Sequence, residues 1–86
     1  MFYYISGELA VLEPNMAVID AGGIGYQLSI SGTTCGKLGG KLGNKVKLFT
    51  HLAVREDAFE LYGFYSNEEL TAFRMLRWAI PPIMMY

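Results

Sequence analysis

A chain of 86 residues has room for one domain, near the lower size at which a hydrophobic core alone supports folding. Apolar residues make up 52% of the chain and charged residues 17%, which is typical of a globular domain with apolar surface left for contact with another subunit. The formal net charge of −1 argues against a phosphate-coating surface, because nonspecific affinity for nucleic acids comes mainly from lysine and arginine.

Cysteine usage and the N-terminus bear on the cellular compartment. The one cysteine, Cys35, cannot form an internal disulfide, and no Cys/His cluster has the spacing of a zinc site. The N-terminus lacks the basic start and long apolar run of a signal peptide, and no stretch is long enough to cross a bilayer. These features predict a soluble, cytoplasmic protein, for which we expect neither a metal nor a cofactor.

The first third of the chain predicts three short strands in an antiparallel meander. Aromatic and β-branched residues favour the first strand, with Gly7 as a bulge or bend within it. Turns that contain proline or glycine end the first and second strands, and the third strand alternates apolar with small or polar residues. The predicted strands are residues 2–11, 16–20 and 24–30.

A long glycine-rich connection follows from residue 31 to residue 44, and we expect one helical turn in it, around residues 35–38. Such a crossing is common where a meander closes into a barrel. Two further strand-like segments, residues 45–54 and 59–64, predict a hairpin with a charged tip. Five strands with one long crossing predict a mainly β fold, a small five- to six-stranded Greek-key barrel of the OB type.

Ser66 begins a predicted C-terminal helix. Its hydroxyl can accept from the third backbone amide while Glu69 reaches back to the cap, in the pattern of a capping box. Pro81 and Pro82 must end the helix, because proline lacks an amide donor and disfavours helix in the residue before it. The apolar face of this helix comprises Leu70, Phe73 and Leu76.

Glu56 and Asp57 are adjacent carboxylates at the tip of the predicted hairpin. Such a pair can serve magnesium, which accepts one or two carboxylates plus waters, but neighbouring residues on an exposed turn with Arg55 beside them make a poor dedicated site. The pattern by itself favours a solvated charged turn. It leaves open whether the two charges bind a partner or repel one.

His51 and the aromatic residues each have a structural and a functional interpretation. His51 has no serine or cysteine nucleophile at a suggestive spacing, which favours a structural or interface role over general-base catalysis, and we expect no catalytic residue. Aromatic side chains can stack on single-stranded bases, although core and interface packing explains most aromatic residues in a chain this small. The candidates for stacking are Tyr3, Tyr4, Tyr26, Phe49, Tyr62 and Phe64.

The run from His51 to Phe64, with its Val-Arg-Glu-Asp-Ala-x-x-Leu-Tyr-Gly-Phe pattern, resembles the first domain of the RuvA family. These proteins are the DNA-binding subunits of the bacterial Holliday junction branch-migration complex. The residues at 1–9 and 18–26 are similar to the same family, as are Glu68-Glu69-Leu70 and Phe73 after the hairpin. The likeness covers about residues 1–76, and the hairpin pattern is specific.

The resemblance implies an OB-type barrel, four copies of which sit around a fourfold axis on an open four-way DNA junction. In that family an acidic pin, matched here by Glu56 and Asp57, projects into the crossover and repels DNA, and Arg55 is a candidate for a DNA backbone contact. The domain implied is not catalytic. The ATPase activity would lie in the RuvB motor, and the RuvC resolvase is a further partner in recombination, DNA repair and the SOS response.

The likeness ends near Leu76. The family continues into a helix-hairpin-helix domain that grips DNA and then into a flexible domain that contacts RuvB, whereas residues 77–86 here do not match that continuation. We therefore expect a barrel at 1–65, a helix at 66–80 that leads to an absent second domain, and a non-family tail at 81–86. Two alternatives stay open, namely an oligomerisation-only scaffold and a stand-alone OB module that binds single-stranded nucleic acid.

Overall fold

The structure is a computed structural model that describes residues 3–54 and 56–79, with side chains as far as residue 75. It is mainly β, as predicted, with five strands and two helices in the described part of the chain. The elements are β1 (Tyr4–Glu13), β2 (Met16–Ala21), β3 (Ile24–Ser29), α1 (Gly32–Leu38), β4 (Lys45–Val54), β5 (Phe59–Phe64) and α2 (Asn67–Ala79).

The five strands form a closed barrel in the order β1-β2-β3-β5-β4. Closure is possible because β1 pairs twice: residues 4–8 pair with β4, and residues 8–13 pair with β2. The contact between β3 and β5 is parallel, whereas the other neighbouring pairs are antiparallel. This arrangement confirms the predicted small barrel and is consistent with the OB type.

Of the bulge or bend predicted at Gly7, the bulge is wrong, since the register of β1 against β2 shifts between Leu9 and Val11. Gly7 instead pairs with Val46 and lies where β1 passes close to β2. A Cβ atom added at Gly7 would clash with the carbonyl oxygen of Asp20. Glycine is therefore required here by the close approach of two backbones.

A single core fills the barrel. Alternate residues of each strand point inward, and the largest of them are fully buried. Leu38 at the end of α1 belongs to the same core, so this helix packs against the barrel interior. The fully buried apolar residues are Leu9, Ala17, Ile19, Leu28, Leu38, Leu48 and Leu70. Among the described residues, neither helix is both long and apolar enough to span a membrane.

The connection between β3 and β4 holds more helix than predicted. Instead of one turn at residues 35–38, α1 runs over the seven residues Gly32–Leu38. Ser31 caps it, because the Ser31 hydroxyl accepts a hydrogen bond from the Thr34 backbone N–H at 3.1 Å. The glycines in this stretch lower its helix propensity, so the sequence predicted only one helical turn there.

The capping box predicted for α2 is half right. The Glu69 backbone N–H donates to the Ser66 hydroxyl at 3.2 Å, so Ser66 is the cap, and the helix begins at Asn67. The Glu69 carboxylate, however, points to α1: it accepts from the Thr34 hydroxyl at 3.1 Å and forms an ion pair with Lys37 at 3.5 Å. This carboxylate therefore ties the two helices together. The Leu76 side chain and the proline stop at 81–82 lie outside the described residues.

Candidate functional site: the β4–β5 hairpin

The predicted hairpin is present and forms a long arm of the barrel. Strands β4 and β5 are in register from the Phe49–Phe64 pair to the Val54–Phe59 pair, and residues 55–58 connect them. Because side chains alternate along a strand, the arm has one face that continues the barrel interior and one that is its outer surface.

Burial on the inner face of the arm falls steadily toward the tip. Thr50 and Gly63 are the inner pair farthest from the tip and are buried, and the next inner pair, Leu52 and Leu61, is half-buried. The last inner pair, Val54 and Phe59, is 59% and 76% exposed. The arm therefore extends past the barrel wall, and its inner face leaves the core there.

The tip carries the predicted acidic pair. Glu56 and Asp57 are both exposed and lie in the bend between the strands, while Arg55 lies outside the described residues. The ion pair found between two described residues joins Lys37 to Glu69, so neither tip carboxylate is neutralised by a described cation. Among the residues that the structure describes, no group of three or more potential metal ligands occurs. The tip thus presents negative charge to the solvent.

Gly63 lets the arm enter the barrel. A Cβ atom added at this residue would lie 2.9 Å from Cδ2 of Leu28 and 3.2 Å from Cδ1 of Leu48, both of which are fully buried. Tight packing at this point leaves no room for a side chain, because protein interiors are packed about as densely as organic crystals.

The substitution Gly63→Ala is expected to lower the free energy of unfolding by about 1–3 kcal/mol, since an added methyl group overpacks the core. Urea denaturation monitored by circular dichroism measures this change. Gly25→Ala in β3 is the control, because its added Cβ would meet a single side-chain atom, Cγ1 of Val18, at 3.3 Å. An equal loss of stability in the two variants would contradict the packing argument.

Glu60 fastens the outer face of the arm to β3. Its carboxylate accepts a hydrogen bond from the Ser29 hydroxyl at 2.9 Å and another from the Tyr62 hydroxyl at 3.0 Å. Ser29 and Tyr62 are also the register pair of the parallel β3–β5 contact, so side chains reinforce the backbone seam there. Sequence reasoning missed this role, because the partner of Glu60 lies 31 residues away and only barrel closure brings it close.

Helix α2 packs across the same outer face. The ring of Phe73 lies 5.5 Å from His51, 5.2 Å from Tyr62 and 5.0 Å from Phe64, measured between ring centroids. Such distances are typical of stabilising aromatic pairs. His51 therefore has the structural role that the sequence favoured, and the helix braces both strands of the arm.

A second aromatic group lies away from the tip. Tyr3, Tyr4 and Phe49 meet edge to face, and the Lys47 ammonium lies 5.0 Å from the Tyr4 ring centroid. Of the six aromatic residues considered for base stacking, only Tyr3 and Tyr4 are exposed. Packing explains the other four.

Comparison with known proteins agrees with these features. Residues 1–63 match the family described as RuvA N terminal domain. Over 76 residues the chain is 47% identical to a Holliday junction branch migration complex subunit RuvA from Chlorobium phaeobacteroides, 47% to one from Chlorobaculum tepidum and 41% to one from Lachnospira eligens. The match covers 88% of this chain but 38%, 37% and 36% of those relatives, so the chain spans less than two fifths of their length.

Proposed function

Since the chain belongs to the RuvA N-terminal domain family, we propose that it is the junction-facing domain of a protein that binds Holliday junctions. In this proposal it is not an enzyme, and it acts in the cytoplasm as part of a homotetramer on four-way junction DNA. The RuvB motor drives branch migration, and the RuvC resolvase joins the same complex. The name that the relatives share, subunit of a Holliday junction branch migration complex, supports this assignment.

One observation carries the role proposed for the tip: Glu56 and Asp57 are exposed at the end of an arm that extends past the barrel wall. Phosphates are negative, so this tip repels a DNA backbone. Two unit charges about 4 Å apart in water interact by about 1 kcal/mol, and salt screens them over roughly 8 Å. A ring of four such tips therefore biases the paths of nearby strands without anchoring a phosphate.

Repulsion suits branch migration, because strands must slide through the crossover. Tight salt bridges between protein and phosphate at that point would hold the branch point still. We therefore assign Glu56 and Asp57 to an acidic pin that guides strand separation. Arg55 is assigned to steadying the tip or to a contact with the nearby DNA backbone.

The pin acts only on DNA that another part of the protein holds. This chain has a formal net charge of −1 and spans less than two fifths of the relatives' length, and we assign the main DNA grip to the remaining length. For this chain alone we expect a dissociation constant for junction DNA no better than about 10⁻⁴ to 10⁻⁶ M, the range of nonspecific contacts. Fluorescence anisotropy with a labelled four-way junction at stated salt measures it.

The same titration separates the proposed function from its alternatives. Preference for the four-way junction over a linear duplex and over a single strand of equal length supports the junction role. Nanomolar junction binding by this chain alone contradicts the assignment of the main grip to the remaining length. Tighter binding to the single strand favours a stand-alone OB module that stacks bases on Tyr3 and Tyr4, the two predicted stacking candidates that are exposed.

An oligomerisation scaffold is the second candidate function, favoured by the exposed apolar residues Val54 and Phe59 on the arm. A scaffold would give a tetramer in light scattering but no DNA binding even at low salt. The junction role requires a tetramer and junction preference together.

A further inference from the structure

We infer that Phe59 contacts a nucleobase: its ring stacks on an exposed base at the crossover while the neighbouring carboxylates keep phosphates away. The inference rests on the proposed junction role and adds to it an attractive contact on the same hairpin. It assigns to the arm two chemically distinct parts, a repelling tip and an apolar shoulder of Phe59 and Val54.

The geometry makes Phe59 available. It is 76% exposed, the highest value among the exposed large hydrophobic residues of the described chain, and it is the first residue of β5. Its cross-strand partner, Val54, is exposed on the same face of the arm. Because the inner face leaves the core before this pair, the domain's own interior does not cover the Phe59 ring.

The negative charge of the tip determines which chemical groups can approach this shoulder. Asp57 precedes Phe59 by two residues and Glu56 by three, and both carboxylates are exposed. A DNA backbone carries one negative charge per phosphate and is repelled here, whereas a base is uncharged and offers a π-face. Base–aromatic stacking is a general source of affinity for nucleic acids, and apolar side chains of minor-groove binders insert between base steps.

A branch point supplies such a base. In an open four-way junction each arm ends at the crossover in a base pair whose outer face has no neighbour to stack on. An aromatic ring next to the acidic tip can cover that face while the tip holds the strands apart. The two parts of the arm then favour the same state of the DNA, in which bases are open and backbones are separated.

A double-mutant cycle tests the contact, because the coupling between two changes isolates a direct interaction from indirect effects. The changes are Phe59→Ala in the protein and abasic sites at the crossover in the junction, which remove bases but keep every phosphate. With the unaltered chain, the abasic sites should weaken binding about fivefold to tenfold, as expected for loss of one stacked base. With Phe59→Ala, the same sites should weaken binding less than about twofold.

The controls use the same titration. Abasic sites placed in one arm, away from the crossover, should have no effect beyond about twofold for either chain. Tyr4→Ala, which removes a 51% exposed ring on β1, should keep the full effect of the crossover abasic sites. Phe59→Ala should keep the native far-ultraviolet circular dichroism spectrum, because the ring is exposed rather than part of the core.

Each outcome decides something different. Equal abasic effects for the unaltered chain and Phe59→Ala, with junction preference intact, overturn the base contact and leave the proposed function standing. A smaller assembly of Phe59→Ala in light scattering, without coupling to the abasic sites, assigns the shoulder to a second copy of the chain and also overturns it. If the unaltered chain shows no preference for the junction, the proposed function is overturned, and the inference with it.

Discussion

Neutralising the hairpin tip with Glu56→Gln and Asp57→Asn together is expected to raise affinity for a four-way junction by about tenfold to a hundredfold at low salt. Each carboxylate about 10 Å from a phosphate repels it by about 0.4 kcal/mol in water before salt screening, and by about 0.1 kcal/mol after it. Summed over the tips of a tetramer and the phosphates around them, these small terms amount to roughly one or two factors of ten. Anisotropy titrations at several salt concentrations measure the effect.

The matched control removes the same charge elsewhere. Glu13→Gln with Glu68→Gln also takes the formal net charge from −1 to +1, at exposed residues outside the hairpin. This control should raise affinity for junction and duplex by similar, smaller factors, whereas the tip variant should favour the junction. A large loss of junction affinity in the tip variant would show that the tip attracts DNA. In a full-length relative, the corresponding change should disturb branch migration although binding is kept.

The substitution Phe73→Ala is expected to lower the free energy of unfolding by about 2–4 kcal/mol. The Phe73 ring lies against three other rings on the outer face of the arm, and truncating a packed aromatic side chain leaves a cavity there. The side chain is half-buried rather than fully buried, so the loss should fall below that of the largest Phe→Ala effects. Urea denaturation of the variant and the unaltered chain gives the difference.

Met75→Ala is the control for this substitution. Met75 lies two residues further along α2 and is 67% exposed, so its removal should change stability by no more than about 0.5 kcal/mol. A helix of this length is only marginally stable in isolation. Loss of the Phe73 contacts should therefore loosen α2 and remove its support from β4 and β5. If Phe73→Ala were as mild as Met75→Ala, the helix would not support the arm.

The two faces of the arm connect the packing of this domain with the position of its tip. The outer face is held by α2 and by the Glu60 carboxylate, whereas the inner face runs from the core to the exposed shoulder and the acidic tip. In the proposed function, a tip that repels moving DNA strands needs a stiff arm behind it. The packing of α2 and the hydrogen bonds of Glu60 therefore hold the tip carboxylates in position.

Much of this protein is determined by local sequence. Alternation of side chains identifies both strands of the arm, the Ser66 hydroxyl marks the start of α2, and adjacent carboxylates mark the tip. The family resemblance rests on the same stretch and is confirmed by the match over residues 1–63. These features were predictable because each depends on residues close to one another in the chain.

Other features of this protein depend on residues far apart in the chain, and only the tertiary structure shows them. Glu69 looks like part of a capping box until α1, whose Thr34 lies 35 residues away, takes its carboxylate. Gly7 looks like a bulge until the close passage of β2 requires a residue without a side chain. Phe59 belongs to a predicted strand, and only the fold shows that it lies beyond the core and is exposed near Glu56 and Asp57. Register, barrel closure and the end of the core are set by long-range packing, which no local pattern of this sequence contains.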